Sequence, residues 1–343
     1  MICSKSHKKP LPVLGLLLFI VPAIPYGCSD VNPVPCQYPA SSGQSATKTV
    51  LSLSGSVSTD GACLDIFTFN DDALQRLDSY TRIEDFRGGS IPVTSQSGDK
   101  IIFICANARK DRYDWADISS FSSIRSMTVN LEQESEESLT MTAECRRAAG
   151  SEHGEVSMVP VASEVVLRTI GCDFSGLPYA GKDIYDVKAY LTNVNAETHL
   201  YDGAHDRPLR FINMSMLNPD DMKGFMQPGL VARKVADRIS SATLIPDLHF
   251  LCYPNNAETE GPGTPFTRLV VEGKIDGDTY YWPININRQE GGTGIGRNCM
   301  YVFELMIRRK GTTDPDIPVK HEDMETTLEI KPWKEIQEER IEF

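Results

Sequence analysis

The sequence predicts an all-β protein built as two β-sandwiches in tandem. Three observations carry that expectation. Short runs of β-branched and aromatic residues recur from Thr47 onward, turn residues separate them, and few stretches have helical spacing. Regularly spaced strands with little helix fit sandwiches, and a chain of 343 residues suits two domains.

The first 46 residues stand apart. Lys5, Lys8 and Lys9 form a basic region, Leu11 to Ile24 is apolar without charge, and Gly27 places a small side chain before Cys28. That is the layout of a secretory signal over 1–27. The apolar core is interrupted by Pro12 and Pro22 and is shorter than the roughly 20 residues a membrane-spanning helix needs. The Gly-Cys ending resembles the lipobox of bacterial lipoproteins, which implies a lipidated Cys28 as the mature N-terminus. Pro25 and Tyr26 depart from the usual lipobox residues. Each buried acyl methylene contributes about 0.8 kcal/mol, so several chains hold a protein at a membrane. Residues 28–46, rich in Pro, Ser and Gly, read as a flexible tether.

Removing residues 1–27 leaves 316 residues and takes away three lysines but no acid, so the net charge falls from −13 to −16. So acidic a chain, with no basic block, is a poor partner for nucleic acid.

The strands follow in order. "TKTVLSLSGSV" sets Val50, Ser52 and Ser54 against Leu51 and Leu53, with Val57 at its end; "CLDIFTFN" sets Leu64, Ile66 and Thr68 against Phe67 and Phe69. "KIIFICANA" and "SMTVNLEQ" continue the first domain, 47–150, and the polar segment from Glu144 to Glu155 is the expected boundary with the second, 151–343. There, "TRLVVEGKIDGDTYYWPININ" predicts a hairpin turning at Asp276-Gly277, with Leu269, Val271 and Ile275 on one face and Tyr280, Trp282, Ile284 and Ile286 returning. "CMYVFELMIRRKG" places Tyr301, Phe303, Leu305 and Ile307 on one side. Helix is expected only at "NPDDMKGFM", capped by Asn218, and in one or two turns of "LVARKVADRI".

No catalytic constellation is present. GxSxG, HExxH and GxxxxGK[ST] are absent, and "GGTGIGRN" has the wrong spacing for GxGxxG. His199, Asp202, His205 and Asp206 share a stretch that reads as a solvated loop rather than a metal site, and the acidic run "EQESEESL" reads likewise. No CxxC pair occurs, and Cys105 and Cys252 sit in apolar runs where a thiol behaves as a small hydrophobe; export permits disulfides involving Cys36 or Cys63. No cofactor is expected.

The last 19 residues, "ETTLEIKPWKEIQEERIEF", form two strand-like pieces around Pro332 and Trp333. Leu328 and Ile330 share a face in the first, and Ile341 and Phe343 in the second, with Ile336 between. Two readings stand: strands that finish the second sandwich, or a terminus that adds a strand to another molecule.

Several segments resemble the fimbrillin superfamily of Bacteroidetes, whose lipoprotein precursors assemble into type V pili. "CLDIFTFNDDALQ" with "GDKIIFICANA" is similar to the family's N-terminal strands, and "LTMTAE" to the segment closing that sheet. "VASEVVLRTIGCDF" and "DIYDVKAYLTNVNAE" resemble the strands opening the C-terminal domain, and "NCMYVFELMIRRKGTTDPDIPV" and "LEIKPWKEI" its last strands. The resemblance implies two transthyretin-like sandwiches and a non-enzymatic subunit at the outer membrane. It also implies polymerisation by strand exchange: shaft subunits lose the first strand to an arginine-specific protease, and a neighbour's C-terminal segment fills the groove. On that pattern Leu328, Ile330, Trp333, Ile336, Ile341 and Phe343 are donor residues, and Val50, Leu51, Leu53 and Val57 belong to the strand that fills the acceptor groove.

One departure matters. From Cys28 to Gln75 there is no arginine and Lys48 is the sole basic residue, while Arg76, Arg82 and Arg87 fall within the domain. A first strand that cannot be released implies a basal or accessory subunit, held by its lipid and bound to other fimbrial subunits. The alternatives are a tip adhesin or glycan-binding surface lipoprotein that meets a host or bacterial receptor, and a hydrolase, for which a His-Asp contact or buried acid pair would speak.

Overall fold

The computed structural model describes residues 46–333 apart from 56–58, 60, 109–114, 202–207, 215–224, 226, 290 and 321–322. The expected signal segment, Cys28, Val57, Ile336, Ile341, Phe343 and the segment capped by Asn218 therefore lie outside the described residues.

The first half contributes β1 (Thr47–Gly55), β2 (Leu64–Asn70), β3 (Leu77–Ile83), β4 (Ser90–Ser95), β5 (Lys100–Ala106), β6 (Thr128–Asn130), β7 (Met141–Arg147) and β8 (His153–Pro160), with a short helix α1 (Phe121–Ser126). Seven of these strands form one sheet in the order β3-β2-β5-β7-β8-β1-β4. Only two residue pairs join β7 to β8, and there the sheet folds over. Leu64, Ile66, Ile102 and Ile104 on one side then share a core with Leu51, Ile91, Val93, Val156 and Met158 on the other. The far edges also meet: Ser79 Oγ donates to the Thr94 carbonyl at 2.9 Å, and the Gln96 amide to Asp78 Oδ2 at 2.8 Å. The expected boundary segment, Glu144 to Glu155, is the end of β7, a turn and the start of β8, so this sheet continues to Pro160. Polarity marks a turn at the surface in either case; it does not separate a hairpin from a linker.

The second half contributes β9 (Ser163–Cys172), β10 (Ile184–Thr192), β11 (Val194–His199), β12 (Arg210–Ile212), β13 (Ala232–Ile239), β14 (Leu248–Cys252), β15 (Arg268–Ile275), β16 (Asp278–Asn285), β17 (Cys299–Ile307) and β18 (Met324–Pro332). Two four-stranded sheets, β14-β9-β17-β18 and β13-β10-β15-β16, enclose one core. Tyr301, Phe303, Leu305 and Ile307 enter it from β17, and Leu269, Val271, Ile275, Trp282 and Ile284 from the β15–β16 hairpin. Asp276 and Gly277, with φ of 56° and 95°, make the left-handed turn that a two-residue hairpin requires. "LVARKVADRI" differs from expectation. It forms strand β13, because β10 offers it a hydrogen-bonding edge that local spacing does not reveal.

The two halves share apolar packing. Phe67, Phe69 and Phe103, on the outer face of β2 and β5, belong to the same cluster as Phe121 and Val129 and, from the second half, Val194, Leu200 and Tyr253. Strand β6 pairs with β11 in the small sheet β12-β11-β6. The acidic run expected to be solvated supplies this joint. Glu134 is fully buried, accepting from the Tyr253 hydroxyl at 2.8 Å and the Thr140 amide at 2.7 Å, while Glu132 pairs with Arg210 and Glu136 with Arg233. Burial raises the Glu134 carboxyl above its ordinary range, with those two donors opposing the shift.

Candidate functional site

The strand expected to fill an acceptor groove lies inside the first sheet. β1 runs antiparallel to β4 and parallel to β8, so both its edges are hydrogen-bonded. Its alternation sets the depth of each side chain. Leu51 is fully buried opposite Ile91, and Leu53 is half-buried opposite Val156. Val50 is half-buried on the other face, and its amide donates to the Glu152 carbonyl at 2.8 Å. Thr49 is buried as well, and its hydroxyl donates to the Ser151 carbonyl at 2.9 Å. One leucine buried outright contributes about 2 kcal/mol, so the two backbone ladders hold much of this strand. Taking it away would open a slot between β4 and β8 in the core that Ile66, Ile104 and Met158 share.

The arginines stand elsewhere. Arg82, in β3, makes two bonds to the buried Asp65 carboxylate at 2.9 and 3.0 Å, and Tyr80 donates to the same group at 2.6 Å. Arg76 bridges to Ser120 at the start of β3. Arg87 lies in the turn between β3 and β4, its side chain 76% exposed. None of the three follows β1 directly.

The expected donor residues divide. Leu328 and Ile330 belong to β18, which pairs with β17 along its whole length, opposite Phe303 and Tyr301. Leu328 is half-buried and Ile330 is 46% exposed, because β18 is the edge of its sheet. Trp333 is buried, and its amide donates to the Asn298 carbonyl at 3.1 Å.

Enzymatic alternatives find little geometry. His249 on β14 bonds Glu164 at 2.8 Å through Nδ1 and faces Asp247 at 3.7 Å through Nε2. The ring is flanked by two carboxylates with no hydroxyl or thiol bonded to it among the described residues, which is an ion pair rather than an activated nucleophile. Among the described residues no His, Cys, Asp and Glu gather into a metal-binding group. Cys105 and Cys252 are buried in the core as expected, and burial pushes the Cys252 thiol up to about 12. Cys63 is a free thiol 3.6 Å from Glu84, and burial pushes it up to about 11.

No family model and no curated protein matches the sequence. Solved structures do. A protein of Bacteroides eggerthii described as a cell adhesion protein has a TM-score of 0.62 at 16% identity, over 85% of this chain and 97% of that one. A fimbrilin of Porphyromonas gingivalis (FimA) has 0.61 at 13% identity, over 85% and 98%. The tip fimbrial protein Mfa3 of the same organism has 0.50 at 11% identity, over 84% and 100%. At such identities the likeness is one of fold: the chain shares the fold of these solved cell-adhesion and fimbrial proteins.

Proposed function

We propose that this protein is a structural, non-enzymatic subunit of a cell-surface fimbria, lipid-anchored through Cys28 and placed at the base or in an accessory position. Its two halves would be the tandem transthyretin-like sandwiches of such subunits, and its partners other fimbrial subunits. The observation that carries the reading is the place of β1: the first strand among the described residues occupies an interior position between β4 and β8, where a strand from another molecule would have to go. The fold shared with fimbrial proteins over most of the chain supports it. Without an arginine between Cys28 and Gln75, β1 keeps its slot, and the subunit gives a strand without receiving one.

Because β18 is bound into its own sheet, the donor is assigned to the chain after Trp333, with Ile336, Ile341 and Phe343 as the side chains that enter a neighbour's groove. Donation of this kind draws affinity from backbone hydrogen bonds and specificity from alternate side chains. The test is removal of residues 334–343, which leaves β18 and Trp333 in place. Fibre assembly should fail while surface retention persists. Normal fibres from the truncated chain would defeat the donor role, and a surface protein whose N-terminus begins beyond Gly55 would defeat the basal one.

A further inference from the structure

Among the described residues Lys100 is the only buried lysine, with 5% of its side chain exposed. It opens β5 directly opposite Asn70, the last residue of β2. Alternation turns both side chains to the face that carries Ile66, Ile102 and Ile104, so they meet at the end of the core those strands share. The Lys100 ammonium donates to Asn70 Oδ1 at 2.5 Å and stands 3.3 Å from Asp78 Oδ2 on β3. The Asp78 side chain is 2% exposed, and the Gln96 amide holds the same carboxylate oxygen. An amine, a carboxamide and a carboxylate thus converge from three strands where water is largely excluded.

A buried lysine needs an opposite charge, and Asp78 supplies it. The Asn70 amide adds an electrophile. A C=O bond is about 1.23 Å long, so the Asn70 Cγ lies within about 3.7 Å of the Lys100 nitrogen, close to the roughly 3–3.5 Å from which reacting atoms join. Aminolysis of an amide is slow between free molecules. Fixing both groups in one fold makes the step intramolecular, and the carboxylate beside the amine is placed to move its protons. Exclusion of water also keeps hydrolysis from competing.

We propose that Lys100 and Asn70 form an intramolecular isopeptide bond, with Asp78 as the proton carrier. Asp78 takes a proton from the ammonium, and the amine attacks the Asn70 Cγ. The bond from Cγ to the side-chain nitrogen breaks, a second lysine proton passes to that nitrogen, and ammonia leaves. The proton on Asp78 returns to water. Lys100 Nζ and Asn70 Cγ are left as a neutral amide, and no oxidant or cofactor is consumed. The bond ties β2 to β5 and closes a loop across 30 positions that holds β3 and β4. The inference is independent of the subunit's place in a fibre.

The test is the intact mass of the purified full-length protein, followed by a tryptic digest read by tandem mass spectrometry. The folded wild type should be lighter than its sequence by one ammonia. Its digest should contain residues 49–76 joined to residues 88–109, uncut at Lys100. Asp78→Asn, checked for a wild-type circular dichroism spectrum, should join about a hundredfold more slowly and carry the full mass when freshly purified. Folded wild-type protein of full mass, cut after Lys100, overturns the proposal, as does an ammonia loss that maps to other residues. A folded Asp78→Asn chain that joins as fast as wild type overturns the role of Asp78.

Discussion

Glu164 and His249 show how one pair ties an edge strand to its neighbour. The bond from Glu164 raises the imidazole above its ordinary 6.5, burial opposes the shift, and the charges of Glu164, Asp247 and Glu136 add to it. The folded chain thus holds the proton more tightly than the unfolded one. Stabilisation from the pair is full below the unfolded value and is lost as pH rises through the folded one. Because the ring is 35% exposed, solvent screens the pair and the effect stays below about 1 kcal/mol. Melting temperatures of wild type and Glu164→Gln, compared from about pH 5 to 9, should differ most at the acid end and converge at the alkaline end. A gap independent of pH would show that the bond is not linked to the proton.

At the scale of elements, β10, β15 and β16 carry a row the sequence conceals. Thr192, Arg268 and Asn285 lie opposite one another across three strands. Each has a buried polar atom without a partner among the described residues: Thr192 Oγ1, Arg268 Nε and Asn285 Oδ1. Glu260 and Asp316 satisfy other nitrogens of the same arginine. A buried hydroxyl with no bond costs stability, so Thr192→Val, which keeps the shape, should be neutral or stabilise by up to about 1 kcal/mol. Denaturant titration decides it, and a loss beyond about 1 kcal/mol would mean that the hydroxyl has a partner. The same scale explains β13. Its residues alternate poorly and read as a helix turn, yet one ladder with β10 suffices to make it strand, while Arg233, Lys234 and Arg238 guard its outer edge with charge.

For the whole molecule the joint between halves is the decisive feature. Glu134 and Tyr253 come from opposite halves and meet where water is excluded. Glu134→Ala would remove the acceptor shared by the Tyr253 hydroxyl and the Thr140 amide, at a cost of about 2–4 kcal/mol, while Tyr253→Phe should cost about 1 kcal/mol. In a double-mutant cycle the two losses should add to more than the pair removed together, and strict additivity would refute the contact. A core shared in this way also predicts one cooperative unfolding transition in calorimetry; two separate transitions would show that the halves are independent.

The sequence by itself determined the strands with clean alternation, the Asp276–Gly277 turn, the buried cysteines and the absence of catalytic motifs, since each depends on neighbours two to four residues away. The inward faces of β15, β16 and β17 were legible for that reason. Only the tertiary structure decided that β1 sits between β4 and β8, that both faces of β2 are buried, that Glu134 is a core residue and that Asn70, Asp78 and Lys100 converge. These follow from which distant strand lies alongside and which surface covers a face. Pairing and burial are made by residues tens to more than a hundred positions apart, and local spacing carries no record of them.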